Sequence, residues 1–315
     1  MRKALIVGID HYRSCPLSGC VNDANAMGDL LSRHEDGSPN FNCRKLLTPN
    51  DNITRPVLRE QLTEVFAGEP EVALFYYSGH GCLSDLGGYI VTQDVEKYDE
   101  GIRQQELLDI TTNSKAHEIV IILDCCFSGS FGQIPVMQQQ ATLLRQGMSV
   151  LTASSARETA QEIRGHGVFT SLVQSALQGG AADVIGNVTI ASLYAYVDQL
   201  LGPWDQRPQF MSRVSRLSVL RRCMPQIELE TLRLLRQYFS SPDSEFPLDP
   251  SFEPDEEPHD LDHERIFSHL QRFRAARLLE PVGEEHMYFA ALNRKYCKLT
   301  PTGQFYWNMI DRGLL

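Results

Sequence analysis

No apolar run in this 315-residue chain approaches the ~20 residues that a membrane-spanning helix needs, so no membrane association is expected. No secretory leader is expected either. The opening Met-Arg-Lys-Ala-Leu-Ile-Val-Gly-Ile-Asp has too short an apolar run for a signal-peptide core and meets Asp10 at once. A cytoplasmic protein is the expectation. No C-x-x-C pair occurs, which argues against a structural zinc site. The eight cysteines (Cys15, Cys20, Cys43, Cys82, Cys125, Cys126, Cys223 and Cys297) are scattered, so reduced thiols are expected rather than a disulfide framework. No internal repeat is visible. Basic charge is in deficit, 29 Lys and Arg against 40 Asp and Glu, but the deficit is local. Residues 241–260 carry eight acidic groups and no Lys or Arg, and the rest of the chain is close to balance.

Against these absences stands one dense stretch, Ile-Val-Ile-Ile-Leu-Asp-Cys-Cys-Phe-Ser-Gly over 119–129. Five consecutive aliphatic residues read as a strand buried on both faces, as in a parallel sheet. The run ends at Asp124 and two cysteines. Upstream, Val72–Tyr77 matches it and ends in Ser78-Gly79-His80-Gly81. Sites in open α/β sheets form beyond the carboxyl ends of the strands. These two ends would therefore bring together a histidine and a thiol that lie 46 positions apart.

The remaining elements follow in order. Lys3–Ile9 reads as the first strand, and a helix is expected over about Val21–Arg33. Cys43–Leu47 is a short strand, and Thr54 precedes a helix that runs to Phe66. Tyr89–Val91 suggests part of a hairpin, and Ile102–Ile110 has helical spacing. Residues 130–146, with Pro135 and a glutamine run, read as an exposed, mobile loop. Ser149–Thr152 returns to a strand, Val168–Leu177 and Ile190–Leu201 to helices, and Gln209–Met211 to an edge strand. Alternating strands and helices imply a mostly parallel sheet covered on both faces.

Five prolines and the eight acids make 241–260 read as an extended linker. Beyond it, Ile266, Phe267, Leu270, Phe273 and Ala276 mark an amphipathic helix. A hairpin is expected from Met287–Leu292 and Tyr296–Leu299, and Thr300-Pro301 opens a last helix. This order resembles a winged-helix domain. The expected division is a large α/β domain over 1–222, a helix and acidic linker over 223–262, and a winged-helix-like domain over 263–315. Arg265, Arg272, Arg274 and Arg277 on one helix allow a nucleic-acid contact, but a solvated face explains them better.

A cysteine is a nucleophile only as its thiolate, so it needs a neighbouring base, and His80 can be that base. The acyl-transfer step also needs donors for an oxyanion, for which the backbone N–H groups of Gly81 and Cys126 are the candidates. Alternation at the strand end should point Cys125 and Cys126 in different directions.

Tyr76-Tyr77-Ser78-Gly79-His80-Gly81 followed by Asp124-Cys125-Cys126-Phe127-Ser128-Gly129 resembles the caspase–metacaspase superfamily, on its prokaryotic metacaspase-like (orthocaspase) side. The resemblance covers residues 1 to about 220. It implies a caspase-like three-layer α/β/α sandwich with Cys126 as nucleophile and His80 as its partner. Gly19-Cys20-Val21-Asn22-Asp23-Ala24 resembles the metacaspase first-helix motif. By that match Asp23, Asp124, Ser78 and Cys20 form the specificity pocket. Two carboxylates favour a guanidinium, so the implied reaction is cleavage of protein substrates after Arg, less strongly Lys. In such a bacterial protease the role would be a stress or defence cascade, and the C-terminal domain would recruit an activator or target. The rival reading is a nucleic-acid-binding or scaffolding regulator acting through the winged-helix-like domain. Self-processing at Arg145, with Arg157 or Arg164 as further sites, is a family habit carried over to this loop. No cofactor and no metal are expected. Where many metacaspases carry carboxylates near a calcium site, this chain has Gln104 and Gln105, leaving Asp94, Asp99 and Glu100 as weaker ligands.

Overall fold

The computed structural model describes residues 1–84, 87–96, 99–125, 144–153, 162–163, 166–201 and 208–315. They form two compact units, 1–182 with 187–224 and 183–186 with 225–315.

The first unit is built on strands β1 (Arg2–Gly8), β2 (Asn42–Leu47), β3 (Val72–Ser78), β7 (Glu118–Asp124), β8 (Met148–Thr152) and β12 (Gln209–Arg213). They lie in the order β12-β8-β7-β3-β1-β2, all parallel except β12, which runs antiparallel on β8. All seven residues of β3 are buried, as the two-faced apolar pattern requires. The pleat divides the sheet's side chains between two cores. Leu5, Phe75, Ile121 and Leu123 meet helices α2 (Arg55–Phe66) and α3 (Gln104–Thr112) on one face. Ile6, Leu74, Val120 and Ile122 meet α1 (Cys20–Ser32), α4 (Val168–Ser175) and α5 (Ile190–Leu201) on the other. Each such side chain contributes roughly 1.5–3 kcal/mol by leaving water. The expected three-layer sandwich is present.

Beyond the sheet's carboxyl edge, β4 (Gly81–Ser84), β5 (Gly87–Glu96) and β6 (Asp99–Arg103) form an antiparallel meander. Short strands β9 (Glu162–Ile163) and β10 (His166–Gly167) pair with each other, and β11 (Asn187–Thr189) pairs with β13 (Val219–Arg222). Most of the loop expected over 130–146, and Arg157 and Arg164, lie outside the described residues.

The second unit corrects two expectations. The acidic stretch 241–260 is not an extended linker. Within it β14 (Glu245–Pro247) pairs with β16 (Tyr296–Leu299), and Leu248 and Phe252 are buried in the unit's core. Apolar residues every few positions were enough to fold a segment whose average composition is that of a linker. Met287–Leu292 is also not a strand. It is helix α9, with Met287, Ala290 and Ala291 buried at helical spacing. The antiparallel partner of β16 is instead β15 (Leu279–Val282). The unit is completed by α6 (Leu229–Arg233), α7 (Leu235–Tyr238), α8 (Leu261–Ala275, capped by the Asp260 carboxylate) and α10 (Pro301–Asp311, capped by the Thr300 hydroxyl).

Candidate active site

Strands β3 and β7 are neighbours in register, with Ser78 opposite Asp124. The Gly79 N–H donates to the Asp124 carbonyl at 3.3 Å, which carries the pairing one residue past the strand end. His80 therefore leaves the sheet directly beside the end of β7. Cys126 itself lies outside the described residues. Its neighbour Cys125 is buried in the apolar cluster with Tyr77 and Leu123.

His80 is held from several sides. Its Nε2 lies 2.6 Å from the Cys15 carbonyl oxygen, and its ring sits 4.6 Å from that of Tyr12. Its backbone N–H donates to the Tyr12 hydroxyl at 2.9 Å, and its carbonyl accepts from the Tyr77 hydroxyl at 2.8 Å. The two tyrosine hydroxyls are 3.0 Å apart. Gly79 allows this approach, because a Cβ there would fall 2.5 Å from both of those oxygens. Burial pushes both phenols well above their ordinary range, so they remain neutral hydrogen-bonding groups.

Gly81 starts β4. The Val91 N–H donates to the His80 carbonyl at 3.0 Å, so that carbonyl faces β5. Alternation then leaves Gly81, opposite Ile90, at a non-bonded pair with its N–H turned away from β5.

The residues expected to line a pocket meet on the other side of β3. Asp23, buried in the first turn of α1, accepts the Gly167 N–H at 3.0 Å. A Cβ on Gly167 would stand 3.0 Å from Asp124 Oδ2 and 3.2 Å from Asp23 Oδ2, so both carboxylates converge on one glycine. Asp124 also accepts the Thr170 hydroxyl at 2.5 Å. Burial pushes the Asp124 carboxyl up to about 6. Thr170 opposes the shift and Asp23 adds to it. Ser78 is buried beside the Cys20 thiol and the Tyr76 hydroxyl, which in turn lies 2.7 Å from Thr170 Oγ1. Burial, with Asp10, Asp124 and Asp23 nearby, holds the Cys20 thiol well above its ordinary range. Cys20 is thus a protonated packing residue rather than a second thiolate.

Several contributors carried no sequence motif. Asp10 takes the place of a side-chain cap on α1: its carboxylate accepts the Cys20 N–H at 2.9 Å and the Val21 N–H at 3.3 Å. Tyr12, Cys15, Gly167 and Thr170 were also unmarked. The one available signal was the pair of tyrosines in a strand buried throughout, because a buried phenol needs a partner.

Other expected residues lie apart from this centre. Arg145 is at the amino-terminal edge of the sheet, donating to the Ser114 carbonyl at 3.0 Å and the Ala116 carbonyl at 2.7 Å. Asp94 accepts the Arg55 N–H at 3.0 Å, and Asp99 pairs with the Arg55 guanidinium at 2.8 Å. Among the described residues no group of three or more His, Cys, Asp or Glu is placed to hold a metal ion. No helix among them is long and apolar enough to cross a membrane.

The profile of the caspase domain matches residues 1–220. A crystal structure of a Geobacter sulfurreducens protein is similar over 71% of this chain and 98% of its own, at 15% identity and a TM-score of 0.52. Caspase-1 from Spodoptera frugiperda is similar over 72% of this chain and 92% of its own, at 14% identity and a TM-score of 0.51. No curated protein matches the sequence.

Proposed function

The chain belongs to the caspase-domain family of cysteine peptidases, and from that premise we propose an endopeptidase that cleaves protein substrates after arginine, less readily after lysine. The observation that carries this reading is the convergence of Asp23 and Asp124 on Gly167, beside the strand end that bears His80. Two carboxylates that converge on one glycine suit a planar guanidinium and repel an acidic side chain.

In this reading Cys126 is the nucleophile. The Cys15 carbonyl can only accept, so the His80 proton resides on Nε2 and Nδ1 is left as the base. Nδ1 takes the thiol proton as sulfur attacks the scissile carbonyl carbon. The oxyanion is held by the N–H groups of Gly81 and Cys126. When the C–N bond breaks, His80 returns the proton to the leaving amine, and a thioester remains. Water, deprotonated by the same nitrogen, then hydrolyses it. Self-processing at Arg145 stays within this proposal as a cut made by a second molecule. Its side chain is tied at the opposite end of β7 from the strand end that bears the site.

The test is hydrolysis of fluorogenic peptides ending in Arg, Lys or Asp by wild type, Cys126→Ala and Asp23→Ala. Arg should be preferred to Lys, Asp should be inert, and both variants should lose at least ~100-fold in kcat/KM. Equal rates for wild type and Cys126→Ala would overturn the reading.

A further inference from the structure

Asp124 stands where a carboxylate is hard to keep charged. Among the described residues, the titratable groups near enough to feel its charge are Asp23 and Cys20 on α1 and Tyr76 on β3. None of them is a cation, and Asp23 opposes a second negative charge beside it. Burial works in the same direction. A neutral carboxyl would hold a guanidinium far less well than an ionised one, so the pocket needs something that favours the charged form. Hydrogen-bond donors are what remain.

Thr170, in the first turn of α4, supplies such a donor. Its Oγ1 lies 2.5 Å from Asp124 Oδ2 and 2.7 Å from the Tyr76 hydroxyl. Both side chains are fully buried, so bulk water does not compete for these groups. An ionised carboxylate can only accept, which turns the Thr170 proton to Asp124 and the Tyr76 proton to Thr170. Two bonds running in one direction polarise each other toward the carboxylate. The threonine is β-branched, and the tyrosine ring packs in the core between the sheet and α4, so neither oxygen is free to move away. We propose that Tyr76 and Thr170 are positioning residues of the specificity pocket, a directed pair of hydroxyls that aims the Asp124 carboxylate and keeps it ionised for a guanidinium. The proposal rests on the arginine reading of this pocket and adds its regulation, because arginine selectivity then switches with the protonation of one carboxyl.

Two measurements on the full chain test it. The first needs no activity: the carboxyl carbon resonances of isotopically labelled aspartates are titrated, with that of Asp124 identified by its loss in Asp124→Asn. The Asp124 midpoint, about 6 in wild type, should rise by about one pH unit in Thr170→Val, because a hydrogen bond to a charged group is worth about tenfold or more. It should rise by roughly half as much in Tyr76→Phe and stay within ~0.3 unit of wild type in Thr170→Ser, which keeps the hydroxyl. The second is the ratio of kcat/KM for peptides ending in Arg and in citrulline, its neutral isostere. His80 and the thiol act on both peptides alike, so the ratio follows the pocket. It should fall toward acid pH with the same midpoints, and at about pH 9 wild type and Thr170→Val should agree within about threefold. Unfolding midpoints are measured alongside, and if Thr170→Val does not fold, Tyr76→Phe decides. An unmoved Asp124 midpoint in the folded variant overturns the proposal, as does an Arg-to-citrulline ratio lowered equally at every pH. A wild type that treats the two peptides alike at about pH 9 overturns the arginine reading instead, and the resonance titration still judges the hydroxyl pair.

Discussion

His80 Nε2 lies 2.6 Å from the carbonyl oxygen of Cys15, a residue 65 positions earlier whose backbone is left-handed at φ 58°. That contact fixes the ring and its tautomer together, and it comes from a backbone atom. The orienting group is therefore set by the conformation at Cys15 and not by its side chain. A left-handed non-glycine residue carries strain of order 1–2 kcal/mol.

Substitutions at Cys15 should accordingly follow backbone preference rather than thiol chemistry. Cys15→Gly, which accepts φ 58° freely, should keep kcat within about twofold of wild type. Cys15→Val, β-branched and averse to that region, should lower kcat by ~10-fold with KM little changed. Steady-state kinetics on an Arg peptide check this. Loss of activity in the glycine variant would assign a role to the thiol instead.

The Asp124 carboxyl, raised by burial from 3.8 to about 6, links stability to pH. A group whose folded value lies above its unfolded one favours the fold when protonated. That stabilisation is complete below about pH 4 and is lost as pH rises through 6, so the ionised group costs up to about 3 kcal/mol at pH 8. Asp124→Asn should raise urea-unfolding stability at pH 8 by ~1–3 kcal/mol, and the gain should vanish by pH 4. The same variant should lose Arg-peptide cleavage by at least ~100-fold. A variant less stable than wild type at pH 8 would show that the charge is structurally favourable.

How much of this was readable in the sequence depended on whether a contact was written into one segment. The apolar runs of β3 and β7 dictated a buried parallel pair, and their register placed Ser78 beside Asp124. Local motifs likewise marked Asp23 and His80. The Cys15 carbonyl, the Tyr12 hydroxyl and Gly167 could not be read this way. Gly167 meets Asp23 across 144 positions through a backbone N–H that any residue possesses. In the second unit, averaging misled in two places. Acidic composition hid the buried Leu248 and Phe252, and the aromatic start of Met287–Leu292 suggested a strand where Ala290 and Ala291 pack as a helix.

Near α2, an arginine occupies the carboxylates that a cation would need. Arg55 pairs with Asp99 at 2.8 Å and Glu106 at 3.2 Å, while Asp94 accepts its backbone N–H. Peptidase rate should therefore change less than about twofold between excess chelator and millimolar calcium, because among the described residues no set of free charged oxygens is on offer. Arg55→Ala should unfold at a lower temperature, and calcium should restore part of that loss in the variant alone. Calcium activation of wild type by tenfold or more would contradict this.

The most direct measurement is covalent capture of the nucleophile. Incubation with an arginyl chloromethyl ketone, followed by intact-mass analysis and peptide mapping, should place one adduct on Cys126. Labelling should fall by at least ~100-fold in His80→Ala and should persist in Cys125→Ala. An adduct on Cys125 or Cys20, or equal labelling with and without the imidazole, would contradict the account.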